Sequence, residues 1–425
     1  MTAAASWCAL DAAHIWHPYT QHAVAPPPVP VVRAEGAYLY TADGRRVFDA
    51  ISSWWVTLHG HAHPAIADAI AAQARTLEQV IFAGFTHEPA ARLAGELVAH
   101  LPPGLTRVFY SDDGSTAVEV AIKMALQYWH GQGTPRPLIA ALENAYHGDT
   151  FGAMSASARG VFTTPFGRHL FEVARLPDPS EEGEDTVAAL EALLDARGGE
   201  LAAVIVEPLL LGAGGMHVWS ADVLRRLRAL TAEARVLLIA DEVLTGFGRT
   251  GPLFACERAE IAPDIVCLSK GLTGGFLPLG ATVAREEIFR AFLSPDRRRT
   301  LFHGHSYTAN PLACAAARAS LALLDDACAA RRAAIEQVHV ARMRELAAHP
   351  RVRNPRVLGT VAAFDLAGAG SYLDPVGPAL GAFALQRDVL LRPLGNVVYL
   401  LPPFCATPDE IAGVYDVIAE FVEGP

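Results

Sequence analysis

Val236–Lys270 reads VLLIADEVLTGFGRTGPLFACERAEIAPDIVCLSK and contains two short apolar runs that end in ionisable residues. The run VLLIA stops at Asp241 and Glu242, and the run IVCL stops at Ser269 and Lys270. Apolar runs of this length, bounded by turn residues, indicate buried parallel strands. Ligands of open α/β sheets bind at the carboxyl ends of such strands. The stretch therefore predicts an acid and an amine at the ends of two buried strands.

The types of these two end residues suggest a chemistry. A buried aspartate or lysine costs free energy unless it is paired or used. Pyridoxal phosphate uses both, because its aldehyde condenses with a lysine amine while a carboxylate keeps its ring nitrogen protonated. Asp241 and Lys270 thus predict a pyridoxal-phosphate site, and a structural ion pair between them stays open as the alternative.

Length and composition narrow the class of protein. A chain of 425 residues exceeds one ordinary core, so two domains are expected. Hydrophobic residues make up 52% and charged residues 19%, which is typical of a globular enzyme. The net charge of −11 argues against nucleic acid as a partner.

The cysteines and the hydropathy pattern bear on the cellular compartment. The six cysteines are scattered, with no CxxC pair and no metal-ligand spacing, so we expect a reduced, cytoplasmic protein without a metal site. The N-terminus has no charged segment followed by an apolar one, and no apolar window is long enough to span a membrane. We therefore expect neither a signal peptide nor a membrane segment.

Three further stretches carry candidate site residues. VFYSDDGST predicts a strand, a turn and a helix whose N-terminus, at Gly114 and Ser115, can bind an anion, although ordinary helix capping explains a serine there equally well. Tyr146 follows a predicted strand and can stack on a flat cofactor, or it is a half-buried loop residue. Trp54 and Trp55 are either an aromatic pocket wall, or one core residue and one contact residue.

The order of the predicted elements gives the fold class. The middle of the chain alternates strands and helices, which predicts an α/β fold with a doubly wound, mainly parallel sheet. Both chain ends are mixed and irregular. We predict that residues 1–65, an irregular arm with short strands, join residues 311–425 in a smaller α+β domain beside a large domain of residues 66–310.

Several motifs, in this order, resemble the fold-type I, class III pyridoxal-phosphate aminotransferases: GS before a helix, YHGD, VEP, IADEVLTGFGRTG, LSKGLTGG and HGHSYTANPLACAAA. The resemblance covers nearly the whole chain. It implies a homodimer with active sites at the interface, in which Lys270 binds pyridoxal phosphate covalently and transfers protons. It also implies that Asp241 pairs with the pyridine nitrogen and that Val243 packs on the ring opposite Tyr146.

The resemblance assigns the remaining roles as well. The phosphate should be bound by Gly114 and Ser115 with Ser306 of the partner subunit. The residues that should act on or line the substrate site are Tyr19, Trp54, Trp55, Tyr146, Asp149, Lys270 and Arg392. The resemblance implies that Tyr19 is catalytic together with Lys270 and Asp241. It also implies that Arg392 binds the substrate carboxylate. For Arg249 we expect structural support of its loop, and for Arg392 the alternative is a salt bridge between domains.

Four stretches, IWHPYTQ, SSWW, YHGDTFGAMS and LLRPLGNVVYLLPP, resemble the members of this family that act in biotin biosynthesis. That resemblance implies a ping-pong transfer to 8-amino-7-oxononanoate, with S-adenosylmethionine as donor. Lysine stays open as donor, because His305 and Ser306 replace the Pro-Thr pair common in these relatives, and HSYT occurs in lysine-dependent forms. A general ω-amino-acid aminotransferase using pyruvate or 2-oxoglutarate, and a catalytically silent pyridoxal-phosphate-binding module, are the alternatives. Leu211 replaces a common glutamine.

Overall fold

The structure, a computed structural model, describes residues 3–179, 183–368 and 370–424, without the side chains of residues 3–5. The strands are β1 Val31–Glu35, β2 Tyr38–Thr41, β3 Arg46–Asp49, β4 Leu105–Ser111, β5 Leu138–Leu142, β6 Val173–Leu176, β7 Leu201–Val206, β8 Leu210–Leu211, β9 His217–Val218, β10 Leu237–Asp241, β11 Ile265–Leu268, β12 Gly280–Arg285, β13 Val352–Leu358, β14 Val361–Leu366, β15 Val389–Leu390 and β16 Val397–Leu400. The α-helices are α1 Ala3–His14, α2 Ser52–Trp55, α3 Pro64–Ala74, α4 Glu88–His100, α5 Gly114–Gly131, α6 Phe151–Ala156, α7 Glu184–Arg197, α8 Ala221–Glu233, α9 Ala255–Arg258, α10 Glu286–Phe292, α11 Pro311–Ala322, α12 Asp326–Leu346, α13 Val376–Leu385 and α14 Pro408–Glu423. Three 3₁₀ helices span Thr164–His169, Lys270–Thr273 and Arg297–Arg299.

A seven-stranded sheet with the order β4-β12-β11-β10-β7-β5-β6 forms the centre of the molecule. Only β12 runs antiparallel to its neighbours, and the other pairs are parallel. Alternate residues of β5 enter two separate apolar cores, one on each face of the sheet. A sheet buried on both faces explains why its strands are continuous apolar runs. The predicted doubly wound, mainly parallel sheet is confirmed.

Two smaller sheets combine distant parts of the chain. β1, β2 and β3 form an antiparallel sheet that β15, from the C-terminal part, extends in parallel. Asp43-Gly44 lies in the hairpin turn between β2 and β3, and Gly44 takes the left-handed conformation that this turn requires. β13, β14 and β16 form a separate antiparallel sheet. Both ends of the chain therefore meet in one sheet, while the domain limits at residues 65 and 310 remain predictions.

The predicted irregular arm at the N-terminus is wrong in its first part, where α1 spans Ala3–His14. Its sequence AAASWCALDAAH is rich in alanine, the residue with the highest helix propensity. The helix lacks a regular apolar stripe, and Leu10 is largely exposed, so periodicity gave no signal. Within the described ranges, no helix is both long and apolar enough to cross a membrane.

Glu207, directly after β7, connects two loops at the carboxyl edge of the large sheet. Its Oε2 accepts a hydrogen bond from the Tyr146 backbone N–H at 2.9 Å, and its Oε1 accepts one from the Gly212 N–H at 3.0 Å. The side chain is buried, and this burial raises the pKa of Glu207 to about 7, with His147 opposing the rise and Asp241 adding to it. The edge of the sheet is thus held by a carboxyl group that titrates near neutrality.

We expect the stability of the protein to depend on pH through Glu207. The folded state keeps this proton, whereas the unfolded state releases it from about pH 4.5, so stability falls as pH rises from about 4.5 to about 7 and then levels off. At about 1.4 kcal/mol per pKa unit, the fall is about 3 kcal/mol. Glu207→Gln cannot titrate and should lack this component in urea unfolding at pH 5 and pH 8.

The matched control is Glu287→Gln, which removes an exposed glutamate on α10. It should reproduce the pH dependence of the unchanged protein. Only the change in unfolding free energy between pH 5 and pH 8 is compared, so a loss of stability that is equal at both pH values in the Glu207 variant does not matter. Identical pH dependence in the unchanged protein and in Glu207→Gln would contradict the assignment of the proton to Glu207.

Candidate active site

A cavity of about 730 Å³ opens at the carboxyl edge of the seven-stranded sheet. It collects residues from the loops after the large-sheet strands, together with residues from both chain ends. All predicted site residues except one line it: Tyr19, Trp54, Trp55, Gly114, Ser115, Tyr146, Asp149, Asp241, Val243, Lys270 and Arg392.

Lys270 lies one residue after Ser269, which follows β11, and begins a 3₁₀ helix. Its φ of 39° is in the left-handed region, which is rare for a side chain of this size and is common at functional sites. The amine lies 5.1 Å from the ring centre of Trp55 and has no hydrogen bond to any described residue. Burial lowers the pKa of Lys270, while Asp241 and Glu207 oppose that change. The site therefore favours the neutral amine more than water does.

Asp241 ends β10 and is fixed by two hydrogen bonds. Its Oδ2 accepts from Nδ1 of His147 at 2.7 Å, and its Oδ1 accepts from the Val243 N–H at 3.1 Å. His147 is buried, and its Nε2 has no hydrogen-bond partner in the described part of the chain. The carboxylate is thus held in one orientation by an imidazole behind it.

The N-terminus of α5 has the geometry of an anion-binding site. Asp113 caps the helix by accepting from the Thr116 N–H at 2.7 Å, so Ser115 is not the cap. The Ser115 hydroxyl instead accepts from the Thr150 N–H at 2.9 Å. The backbone N–H groups of Gly114 and Ser115 have no acceptor among the described residues. A Cβ on Gly114 would lie 2.6 Å from Val243 Cγ1, so only glycine fits between the helix and that side chain.

The two adjacent tryptophans differ in exposure but line the same cavity. Trp55 is buried and donates from Nε1 to the Tyr399 hydroxyl at 3.0 Å. Trp54 is 40% exposed and packs edge-on against Tyr19, with ring centres 5.4 Å apart. Both tryptophans therefore line the cavity, and Trp55 is also a core residue, while a subunit or domain contact of Trp54 stays a prediction.

Tyr19 and Asp149 meet at the rim, although 130 positions separate them in the sequence. The Tyr19 hydroxyl donates a hydrogen bond to Oδ2 of Asp149. Partial burial and this hydrogen bond raise the pKa of Tyr19 to about 12, and burial also raises the pKa of Tyr146 beside it. Both phenols therefore stay protonated at neutral pH. Asp149 forms no ion pair with a described residue and leaves a negative charge at the rim.

Arg392 carries a positive charge at the same rim. Its guanidinium carbon lies 4.7 Å from the ring centre of Trp54. The residue is exposed, although apolar residues flank it in the sequence. It forms no salt bridge and no hydrogen bond with the described residues, so the alternative of an interdomain ion pair finds no partner there.

Arg249 has the supporting position expected for it. It is 1% exposed and does not line the cavity. Its guanidinium donates to the carbonyls of Pro402, at 2.7 Å, and Thr57, at 3.3 Å, and it lies 5.0 Å from the ring centre of Phe404. Arg249 therefore connects the loop after β10 with segments from both chain ends.

Ser306 is the one predicted residue outside the cavity of this chain. It is exposed, and its carbonyl accepts from Gln79 Nε2 at 2.8 Å. Its expected contact with a phosphate in the partner subunit stays a prediction. Four aromatic residues that line the cavity were not predicted from the sequence: Phe162, Phe276, Tyr372 and Tyr399. Tyr399 could have been found from the alternation of β16, but Phe162 and Tyr372 lie in loops without a pattern.

Comparisons with known proteins agree with this geometry. A family model described as aminotransferase class-III matches residues 19–422. A Synechococcus elongatus protein named adenosylmethionine-8-amino-7-oxononanoate aminotransferase is 56% identical over 418 residues, which cover 96% of this chain and 98% of that protein. A protein of the same name from Geobacter sulfurreducens is 39% identical, over 96% of this chain and 95% of its own.

Solved structures resemble the whole fold. The crystal structure of adenosylmethionine-8-amino-7-oxononanoate aminotransferase from Methanocaldococcus jannaschii matches with a TM-score of 0.93 and 33% identity, over 99% of both chains. An (S)-enantioselective omega-transaminase from Thermomicrobium roseum matches with a TM-score of 0.93 and 30% identity, again over 99% of both chains. The family match includes every predicted site residue from Tyr19 onward. The chain belongs to the class III aminotransferases.

Proposed function

We propose that this protein transfers an amino group to 8-amino-7-oxononanoate, giving 7,8-diaminononanoate for biotin biosynthesis, with S-adenosylmethionine as donor. The observation that carries the proposal is one cavity that holds both the free amine of Lys270 and the unpaired guanidinium of Arg392. The first group suits amino transfer, and the second suits a substrate with a carboxylate. The 56% identical relative is named for this activity.

The residues present fit the cofactor of the family, pyridoxal phosphate. The free N–H groups of Gly114 and Ser115, at the positive end of α5, suit its phosphate. Asp241, which is hydrogen-bonded to His147, can pair with a protonated ring nitrogen. Lys270 supplies an amine that forms no hydrogen bond to a described residue. Because residue 114 is a glycine, the N-terminus of α5 can lie directly against the Val243 side chain. We expect Tyr146 and Val243 to contact opposite faces of the ring.

The side chains of this protein divide the work of the reaction. The bound cofactor withdraws electrons from the substrate carbon that exchanges the amine. Lys270 Nζ, with its pKa lowered by burial, accepts and returns the proton at that carbon. Asp241, whose orientation His147 fixes, would pair with the protonated ring nitrogen of the cofactor. Trp55, packed near the lysine amine, excludes water from this side of the site.

The rim accounts for substrate orientation. Arg392 offers a planar pair of donors to the distant carboxylate of the keto substrate. Tyr19 stays protonated and donates to Asp149, so it can support the wall near Trp54 without adding charge. The route from Lys270 to Arg392 passes the two tryptophans, which suit a hydrocarbon chain.

We also propose a cytoplasmic homodimer. The six cysteines are free, and four of them are buried, which suits a reducing compartment. Ile81, Phe85, Phe302 and Tyr307 are each more than 60% exposed, and Tyr307 directly follows Ser306, whose carbonyl accepts a hydrogen bond from Gln79. Large exposed apolar side chains typically mark subunit interfaces where they cluster. We propose that these four side chains form one interface surface and that its burial against a second copy brings Ser306 to the phosphate site of that copy.

The function is tested by following each half-reaction separately through the visible absorbance of the bound cofactor. S-adenosylmethionine should convert the purified protein to its aminated form, and 8-amino-7-oxononanoate should convert it back. Lysine, pyruvate and 2-oxoglutarate serve as competing substrates, and Lys270→Ala is the control, which should fold but transfer nothing. A protein that responds to pyruvate but not to 8-amino-7-oxononanoate would contradict the proposal.

Arg392→Ala should damage mainly the half-reaction with 8-amino-7-oxononanoate. A charge-assisted hydrogen bond to a carboxylate contributes about 2 kcal/mol, so binding of the keto substrate should weaken roughly 30-fold. Arg392→Lys keeps the charge but loses the paired donors and should recover only part of the affinity. Equal loss in both half-reactions would assign Arg392 a structural role, and loss in the donor step alone would assign it to the other substrate.

The dimer is tested by sedimentation at assay concentration. The cofactor-loaded protein should sediment as a dimer, and Phe302→Glu should shift it toward monomer, because a buried unpaired charge opposes association. Asp68→Glu on α3, an exposed position outside this surface, is the control. A fully active monomer would rule out a composite site.

A further inference from the structure

Phe162 and Tyr372 form an aromatic pair at the mouth of the cavity. Phe162 lies in the loop after α6, and Tyr372 lies between β14 and α13. Their ring centres are 4.6 Å apart with planes at 71°, and Phe162 also contacts Tyr19 edge-on at 5.8 Å. Both line the cavity, yet Phe162 is 39% and Tyr372 is 38% exposed. The pair therefore presents aromatic surface to the cavity that no other side chain in the described ranges covers completely.

The keto substrate does not need to contact this aromatic surface. The keto substrate is an apolar chain with a carboxylate at one end and its keto and amino groups at the other, and the path between Lys270 and Arg392 accommodates it. The cavity of about 730 Å³ also includes the cofactor site, and beyond that site and the path to Arg392 it extends to Phe162 and Tyr372. This further part of the cavity is open to the larger of the two substrates.

The charges near the pair indicate which substrate. Asp149, which has no ion-pair partner in the part of the chain that the structure describes, is linked to the pair through Tyr19, whereas Arg392 lies at Trp54. A cation is attracted by a carboxylate and by aromatic faces, so this part of the rim suits a positive group. A purine base stacks on aromatic rings of any orientation that leaves a face free. S-adenosylmethionine carries both a sulfonium cation and an adenine.

We propose that Phe162 and Tyr372 bind the nucleoside end of the amino donor and thereby select a nucleoside-bearing sulfonium over a simple amino acid. This inference rests on the proposed function, whose donor it explains. The two residues come from segments about 200 positions apart, so the nucleoside subsite exists only where the C-terminal part of the chain docks on the loop after α6.

The test measures binding of 5′-methylthioadenosine, which has the nucleoside and the sulfur but no transferable amine, to the cofactor-loaded protein by calorimetry. Phe162→Ala and Tyr372→Ala should each weaken binding roughly 10- to 100-fold, the effect of losing one stacking ring. Phe162→Tyr, which retains a ring, should bind within about threefold of the unchanged protein. In single turnovers, the two alanine variants should lose affinity for S-adenosylmethionine by a similar factor.

Phe166→Ala is the matched control. Phe166 is 40% exposed, contacts Phe151 at 6.0 Å and lies outside the cavity. It should change binding by no more than about twofold, as is usual for surface positions. Equal weakening of 5′-methylthioadenosine and 8-amino-7-oxononanoate in the alanine variants would overturn the inference, because the pair would then only shape the cavity. Unchanged binding of 5′-methylthioadenosine would overturn it as well.

Failure of this inference is distinguishable from failure of the proposed function. If the unchanged protein aminates 8-amino-7-oxononanoate with lysine and does not bind 5′-methylthioadenosine, the nucleoside subsite is refuted while the acceptor stands. If it binds 5′-methylthioadenosine through the aromatic pair but does not act on 8-amino-7-oxononanoate, the subsite stands and the acceptor is refuted.

Discussion

Buried carboxylates at one edge of the seven-stranded sheet determine how the loops of the site fold. A buried carboxylate costs free energy unless N–H groups surround it. Glu207 accepts from the N–H groups of Tyr146 and Gly212, and Glu242 accepts from those of Ala255 and Cys256. The loops after three strands must therefore turn their N–H groups inward. That requirement brings Tyr146 and the loop at Gly212 to the cavity at defined positions.

Residues in and beside the cavity wall are held in strained conformations, and the chain ends supply the restraint. Ser53 and Trp55 have φ values of 60° and 69°, each costing about 1–3 kcal/mol. The Ser53 N–H donates to Asp49 at 2.6 Å, and Trp55 donates to Tyr399 on β16. Packing of the N-terminal and C-terminal segments thus offsets strain at the cavity wall. A fold in which both ends join beside the large sheet is suited to this task.

The sequence predicted what depends on local pattern and missed what depends on docking. Continuous apolar runs identified the central strands, and the acid and amine at their ends identified Asp241 and Lys270. The helix α1 was missed because its alanine-rich sequence has propensity without periodicity. Phe162 and Tyr372 lie in loops, and only the packing of distant segments brings them together. The exposure of Arg392 likewise depends on how the segment after β15 packs in the fold, and no local sequence pattern contains that information.

The single amine of Lys270 must serve two substrates in turn, and the charges of the cavity fit this requirement. Lys270 lies at the centre, where burial favours its neutral form, and both substrates must bring their reacting carbon to it. Discrimination must then come from the rim. Asp149 and Arg392 carry opposite charges there, with Tyr19 and Trp54 between them. Because neither charge is neutralised by a described residue, each is available to a ligand of opposite sign. A donor with a distant cation and an acceptor with a distant carboxylate can thus share one reacting position while those ends occupy different parts of the same rim.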